Sequence, residues 1–179
     1  MYERSYGSKY KELGGYQPAS HIARLMRVDI KAAIERGELP GAMKNYSVRV
    51  HNYSGGRAIY IEARDLEDMW QDCDGTKPGS KHYFTASDGT QGWTAMNCGY
   101  HGHGRPDFEG HQVLTIEGCR VQEILKGIHR AYNYDGSEVM VDYFDVNYYG
   151  DASIEDQWHR DIRRIREAER KAAKEAKAS

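Results

Sequence analysis

The sequence predicts an α+β fold. A small, mainly antiparallel sheet, built from a β-hairpin and a long C-terminal strand, is covered by two amphipathic helices and followed by a long charged helix. Three observations carry this. Apolar residues recur at helical spacing in two separate segments. Two runs of period two flank Ser54-Gly55-Gly56. The segment from Ser153 to Ser179 is about half charged and opens with Ser153-Ile-Glu-Asp156, which reads as a capping box.

Residues 1–18 are polar, and Tyr2, Tyr6 and Tyr10 fall four apart, on one helical face that Gly7 interrupts. An arm is expected here rather than a stable helix. From Ser20, a candidate N-cap, Ile22, Leu25, Met26, Ile30, Ala33 and Ile34 line one face of a helix that Gly37 should stop. Pro40-Gly41 supplies turn chemistry.

Tyr46, Val48 and Val50 then alternate with polar residues, as do Ile59 and Ile61 after the glycines. A phosphate-cradling loop needs a Gly-Lys-Ser/Thr ending that opens a helix, whereas these glycines lead through Arg57 into a strand. Ser54-Gly55-Gly56 is therefore read as a hairpin corner, with both glycines supplying backbone freedom.

Residues 64–115 are rich in glycine and read as loops around one or two short strands, with candidates at 81–86 and 92–96. Val121, Ile124, Leu125, Ile128 and Tyr132 mark the second helix. After a turn at 133–136, a strand is expected over 139–149. Met140, Asp142, Phe144, Val146 and Tyr148 share one face, and Tyr143, Asn147 and Tyr149 lie on the other. Trp158, Ile162, Ile165, Ala172 and Ala176 form a thin stripe on the last helix, a candidate seam for a partner or for a second copy of the chain. The expected domains are thus an arm at 1–18, an α+β domain at 19–150 with an irregular insertion at about 64–115, and a charged helix at 151–179.

At 179 residues the chain is long enough to bury a core without disulfides. A net charge of -2 gives no global attraction to nucleic acid or to an anionic membrane. Three cysteines cannot all pair within one molecule, and no apolar run suits a signal peptide or a membrane span, so a reducing cytoplasm is the expected compartment. The 14 tyrosines exceed what an ordinary domain of this length carries, and they either finish a small core in place of phenylalanine or serve recognition. Tyrosine combines large contact area with a polar tip, which suits macromolecular recognition.

Three constellations are candidates for function. Cys98, His101 and His103 sit in a glycine-rich loop of the kind that presents zinc ligands, and with a nearby acid such a site would serve a zinc-dependent hydrolase. No CxxC pair supports it, and no cofactor is the default expectation. Arg49, His51, Arg57 and Tyr60 fall on what reads as the polar face of the hairpin, where basic and aromatic side chains together would grip nucleic acid. Tyr143, Tyr149 and Trp158 complete a set of aromatic binding residues. Asp142 and Asp145 fall on opposite faces of the expected strand, which argues against joint acid–base work.

The residues Tyr46-Ser-Val-Arg49, Tyr53-Ser-Gly-Gly56, Ala23-Arg-Leu25, Tyr132-Asn-Tyr-Asp135 and Asp142-Tyr-Phe-Asp145 resemble the large polyvalent protein-associated domain 29 family over roughly residues 19–149. Such domains are encoded by bacteriophages and conjugative elements. The resemblance implies a mobile-element protein acting in the cytoplasm of a bacterial host, and it carries no catalytic residues. The glycine- and histidine-containing middle segment and the charged C-terminal helix depart from the family pattern. The expected function is a non-catalytic accessory protein that binds a host protein, in host takeover or counter-defence. Nucleic-acid binding and zinc-dependent hydrolysis are the alternatives.

Overall fold

The computed structural model describes residues 5–72, 81–85, 91–95, 112–137 and 145–178. The chain forms two compact units, one of Met1–Leu66 with Arg120–Ile154, the other of Glu67–Cys119 with Glu155–Ser179. Among the described residues it is a small α+β protein with antiparallel strand pairs and three α-helices.

In the first unit, helix α1 spans Ala19–Glu35. Ile22, Met26 and Ile30 on its apolar face are wholly buried, while Leu25 and Ile34 are only half-buried. The expected cap is displaced. Pro18, whose ring fixes an extended entry, occupies the N-cap position, and Ser20 lies inside the first turn. The C-terminal end follows expectation: Gly37 has a φ of 73°, its N–H donates to Ile34 O, and Glu38 N–H reaches back to Ala33 O. That pairing is a Schellman motif, and it satisfies carbonyls that the helix leaves open.

Strands β2 (Tyr46–Tyr53) and β3 (Gly56–Ala63) form the hairpin, in a register that pairs Tyr53 with Gly56 and Val48 with Ile61. Of the two glycines only Gly55, with φ 87°, needs left-handed backbone. Helix α1 packs on β2 and β3. The sheet is not purely antiparallel. Strand β9 (Ala152–Ile154) runs parallel to β3 on its far edge, where a capping box was expected. Ala152 and Ile154 are buried and Ser153 is exposed, so period-two alternation prevails over the local cap signal.

The approach to β9 also differs from the long strand expected over 139–149. Residues 138–144 lie outside the described residues. From Asp145 onward the chain makes isolated bridges, Val146 with Asp135 and Tyr149 with Ala58. Ile59 N–H donates to Tyr149 O at 2.8 Å and Ile61 N–H to Asp151 O at 3.0 Å. Between them Gly150 has a φ of 120°, and a Cβ there would lie 1.9 Å from Ile59 O. Only glycine passes this point.

Helix α2 spans Ile116–Ala131 and starts earlier than its apolar pattern suggested. Thr115 Oγ accepts from Gly118 N–H at 3.0 Å, a side-chain cap. Its buried line is Val121, Leu125, His129 and Tyr132; Ile124 and Ile128 are half-buried. Residues 5–9 are tied to the segment that ends α2. Strand β1 (Ser5–Tyr6) pairs with β8 (Tyr134–Asp135), and Gly7 and Lys9 N–H donate to Asn133 and Ala131 carbonyls at the end of α2. Lys9 Nζ meets Asp29 Oδ1 at 2.6 Å, and Tyr132 Oη donates to Asp29 Oδ2 at 2.7 Å.

The second unit contains more strand than the glycine-rich sequence suggested. Strands β5 (Lys81–Thr85) and β6 (Gln91–Ala95) pair antiparallel, close to the expected candidates. Strands β4 (Trp70–Asp72) and β7 (Gln112–Leu114) also pair, and each is too short to show a period. Helix α3 spans Gln157–Ala178. Asp156 caps it by accepting from His159 N–H at 2.8 Å. Arg163 grips the buried Glu155 carboxylate bidentately at 2.7 and 2.9 Å, while Trp70 Nε1 donates to Glu155 O at 3.1 Å.

Replacing Gly150 tests the β3 crossing. Gly150→Ala is expected to lower stability by about 3 kcal/mol or more, since it adds both strain and a backbone clash. Gly55→Ala, at a positive φ with open space around it, is expected to cost only about 1–2 kcal/mol. Urea denaturation of both variants checks the contrast.

Candidate functional site

The strand alternation places Arg57 on the same face as Ile59 and Ile61, the core face of β3, and not with Arg49, His51 and Tyr60 as the polar-face reading had it. At the turn end of the hairpin that face opens into a cleft of about 480 Å³. Tyr10, Tyr16, Tyr134, Asn147 and Tyr149 line it with Arg57.

A guanidinium among aromatic rings needs oxygen partners, and the fold supplies neutral ones. Nε donates to Asn147 O at 2.7 Å, and the two Nη atoms donate to Gln17 O and Asn147 Oδ1. The Tyr16 ring stacks on the guanidinium at 4.4 Å while remaining 82% exposed. None of these three hydrogen-bond partners is a carboxylate.

The walls are also tied. Asn147 Nδ2 donates to Tyr132 O, Asn133 Nδ2 to Tyr148 O, and Tyr134 Oη to Asp145 Oδ1 at 2.6 Å. Tyr6, Tyr10 and Tyr134 form an aromatic cluster with centroids 5.0–6.1 Å apart.

The outer face of the hairpin carries Arg49, His51, Tyr53 and Tyr60. Tyr149 joins them there because it pairs with Ala58. Burial, followed by the neighbouring Tyr149 and Tyr60, raises the Tyr53 hydroxyl above its usual range. Arg49 is not a bare cation: Glu62 holds it at 3.0 Å and also holds Arg64. Thus the four residues proposed to grip nucleic acid split between two faces, and one of the two arginines is neutralised. Among the described residues, five of the eight large exposed apolar side chains are tyrosines of the first unit.

Beneath the cleft, His129 and Tyr148 meet edge to face at 5.2 Å. The pair resembles an acid–base couple but serves the fold. His129 Nε2 lies 2.8 Å from Ile59 O, and Tyr148 Oη donates to His129 O. Burial lowers the histidine below its ordinary range and pushes the Tyr148 hydroxyl well above its own. His129 is therefore a neutral donor and Tyr148 a permanent one, and both are shielded from solvent.

Tyr143, Cys98, His101 and His103 lie outside the described residues. Trp158 falls at the second position of α3, and its side chain also lies outside them. Cys119 is a buried free thiol within α2. Among the described residues no group of three or more His, Cys, Asp or Glu is placed to hold a metal, and no helix is long and apolar enough to cross a membrane.

No protein-family model matches the chain, and neither a curated protein nor a solved structure is similar to it. The resemblance to the large polyvalent protein-associated domain 29 family rests on the residues quoted above and has no matching family model behind it.

Two predictions follow from this geometry. Arg57→Ala removes three charge-assisted hydrogen bonds and is expected to cost about 2–4 kcal/mol, with Arg57→Lys recovering only part; chemical denaturation reads both. The folded state holds the His129 proton more weakly than the unfolded chain does. As pH falls through the ordinary value of 6.5 the unfolded chain protonates first, so stability is complete above that pH and drains below it. Melting temperatures across this window are expected to fall more steeply for the native protein than for His129→Gln.

Proposed function

We propose that this is a non-catalytic binding protein of a phage or related mobile element that docks on a host protein in the bacterial cytoplasm. The contact surface is the tyrosine-rich end of the hairpin. Its cleft and outer face present Tyr16, Tyr53, Tyr60 and Tyr149, with Arg57 fixed behind Tyr16. The sheet, supported by α1 and α2, is the rigid base for this surface.

The observation that carries the reading is the exposed Tyr16 ring held on a guanidinium whose donors are fastened to the backbone and to Asn147. A large, pre-oriented aromatic with a polar tip gives contact area at small entropic cost, as the anchors of protein interfaces do. The cation beneath it favours a partner with carbonyl or carboxylate groups at the contact. The mobile-element context and the host-takeover role enter through the family resemblance. The residues expected to bind that fall in this surface are Arg49, which Glu62 holds, together with His51, Arg57, Tyr60 and Tyr149.

The test compares host proteins captured by the native chain with those captured by Tyr16→Ser and by Tyr60→Ser/Tyr149→Ser, with melting temperature as the control for folding. One host protein bound directly and stoichiometrically by the native chain, and weakened about tenfold or more by either variant, is the expected outcome. Each lost aromatic anchor accounts for about 1.4 kcal/mol or more. Equal capture by folded variants would remove the surface from consideration.

A further inference from the structure

Helix α3 carries a charge pattern that the net charge of the chain conceals. It contains eight Lys and Arg against four Asp and Glu, a surplus of four positive charges in a protein whose net charge is -2. The positions are not scattered. Arg163, Arg166, Arg170, Lys174 and Lys177 follow at spacings of three, four, four and three, which places them in one row along the helix. At 1.5 Å per residue that row runs about 21 Å.

Residues 164–175 are exposed without interruption. Arg163 is engaged with Glu155 and Glu167, whereas among the described residues Arg166, Arg170 and Lys174 have no ion-pair partner. The like charges at 166/170 and 170/174 repel one another and weaken the isolated helix by a few tenths of a kcal/mol each. Macrodipole compensation accounts for the lysines of the last turn but not for the arginines in the middle of the helix. A linear polyanion would turn this repulsion into attraction.

We propose that α3 binds the phosphate backbone of a double-stranded nucleic acid through this row. A bare helix fits the major groove of B-form DNA, and arginines match the phosphate geometry of either duplex with paired donors. The opposite side of the exposed stretch offers Ile165 followed by Ala168 and Ala172. That is too little apolar bulk to anchor the helix in a lipid interface, and alanines with Glu169 between them make a poor seam for self-association. Because no base-reading group is singled out, the contact is independent of sequence. It is a different surface from the tyrosine-rich hairpin, and binding here requires no host protein.

Fluorescence anisotropy of the full-length protein with short labelled DNA and RNA duplexes of arbitrary sequence tests this. Affinity is expected to fall with salt at a log–log slope of about -3 to -4, the value for four phosphate contacts. Arg166→Gln/Arg170→Gln/Lys174→Gln keeps helix propensity and should reduce the slope by about 2.7, that is about 0.9 per lost contact. Far-UV circular dichroism confirms the helix, and hydrogen exchange should show α3 protected by duplex in the native protein only. The Tyr16→Ser variant should bind duplex normally, which separates this proposal from the docking surface. Absence of binding at low salt, binding unchanged in the triple variant, or preference for vesicles of anionic lipid over both duplexes would overturn it. Binding to either duplex with the stated slope supports it, and the comparison of the two identifies which nucleic acid is taken.

Discussion

The first unit depends on one cation lodged on the apolar face of its central strand. Arg57 follows the alternation that buries Ile59 and Ile61, so its half-buried guanidinium sits at the edge of the core. A partly buried charge needs oxygen partners, and here it recruits Gln17, just before α1, and both oxygens of Asn147, ninety residues further along the chain. Three separate segments are thereby held in one geometry. The same contact leaves Tyr16 stacked at the surface. A structural requirement of the core thus creates the exposed aromatic of the candidate binding surface.

Around this point the fold relies on close backbone approach. Gly150 lets the chain pass directly over Ile59 O, after which β9 runs parallel to β3. Gly7 plays a similar part where the N-terminal residues meet the end of α2, because a Cβ there would lie 2.1 Å from Arg130 O. Lys9 N–H satisfies Ala131 O, a carbonyl that α2 leaves open, and Gly7 N–H donates to Asn133 O just beyond the helix. His129, neutral because burial disfavours its charge, contributes its ring to Ile59 O on the other side. The tyrosine-lined cleft therefore sits on a braced scaffold.

The second unit offers a contrast in how charge is handled. Glu155 is buried and answered bidentately by Arg163. A few residues on, the same helix presents cations that nothing among the described residues neutralises. Buried charge is paired at the root of α3 and left open along its exposed length, a distribution that suits a polyanionic partner better than internal packing.

Local pattern alone determined α1, the β2–β3 hairpin and the existence of α2, because each buries one face at a fixed period and the residues on that face are apolar. The exclusion of a phosphate loop at Ser54-Gly55-Gly56 was equally local. The side of the sheet that Arg57 occupies was also readable, since it shares odd numbering with Ile59 and Ile61; its basic character concealed this. Only the tertiary structure decided that Asn147 and Gln17 would meet that arginine, that residues 152–154 would join the sheet in parallel, and that His129 would be buried. These are contacts between segments far apart in the chain, and no period or spacing encodes them. Propensity specifies which face a segment hides, whereas the partner that hides it is chosen by packing.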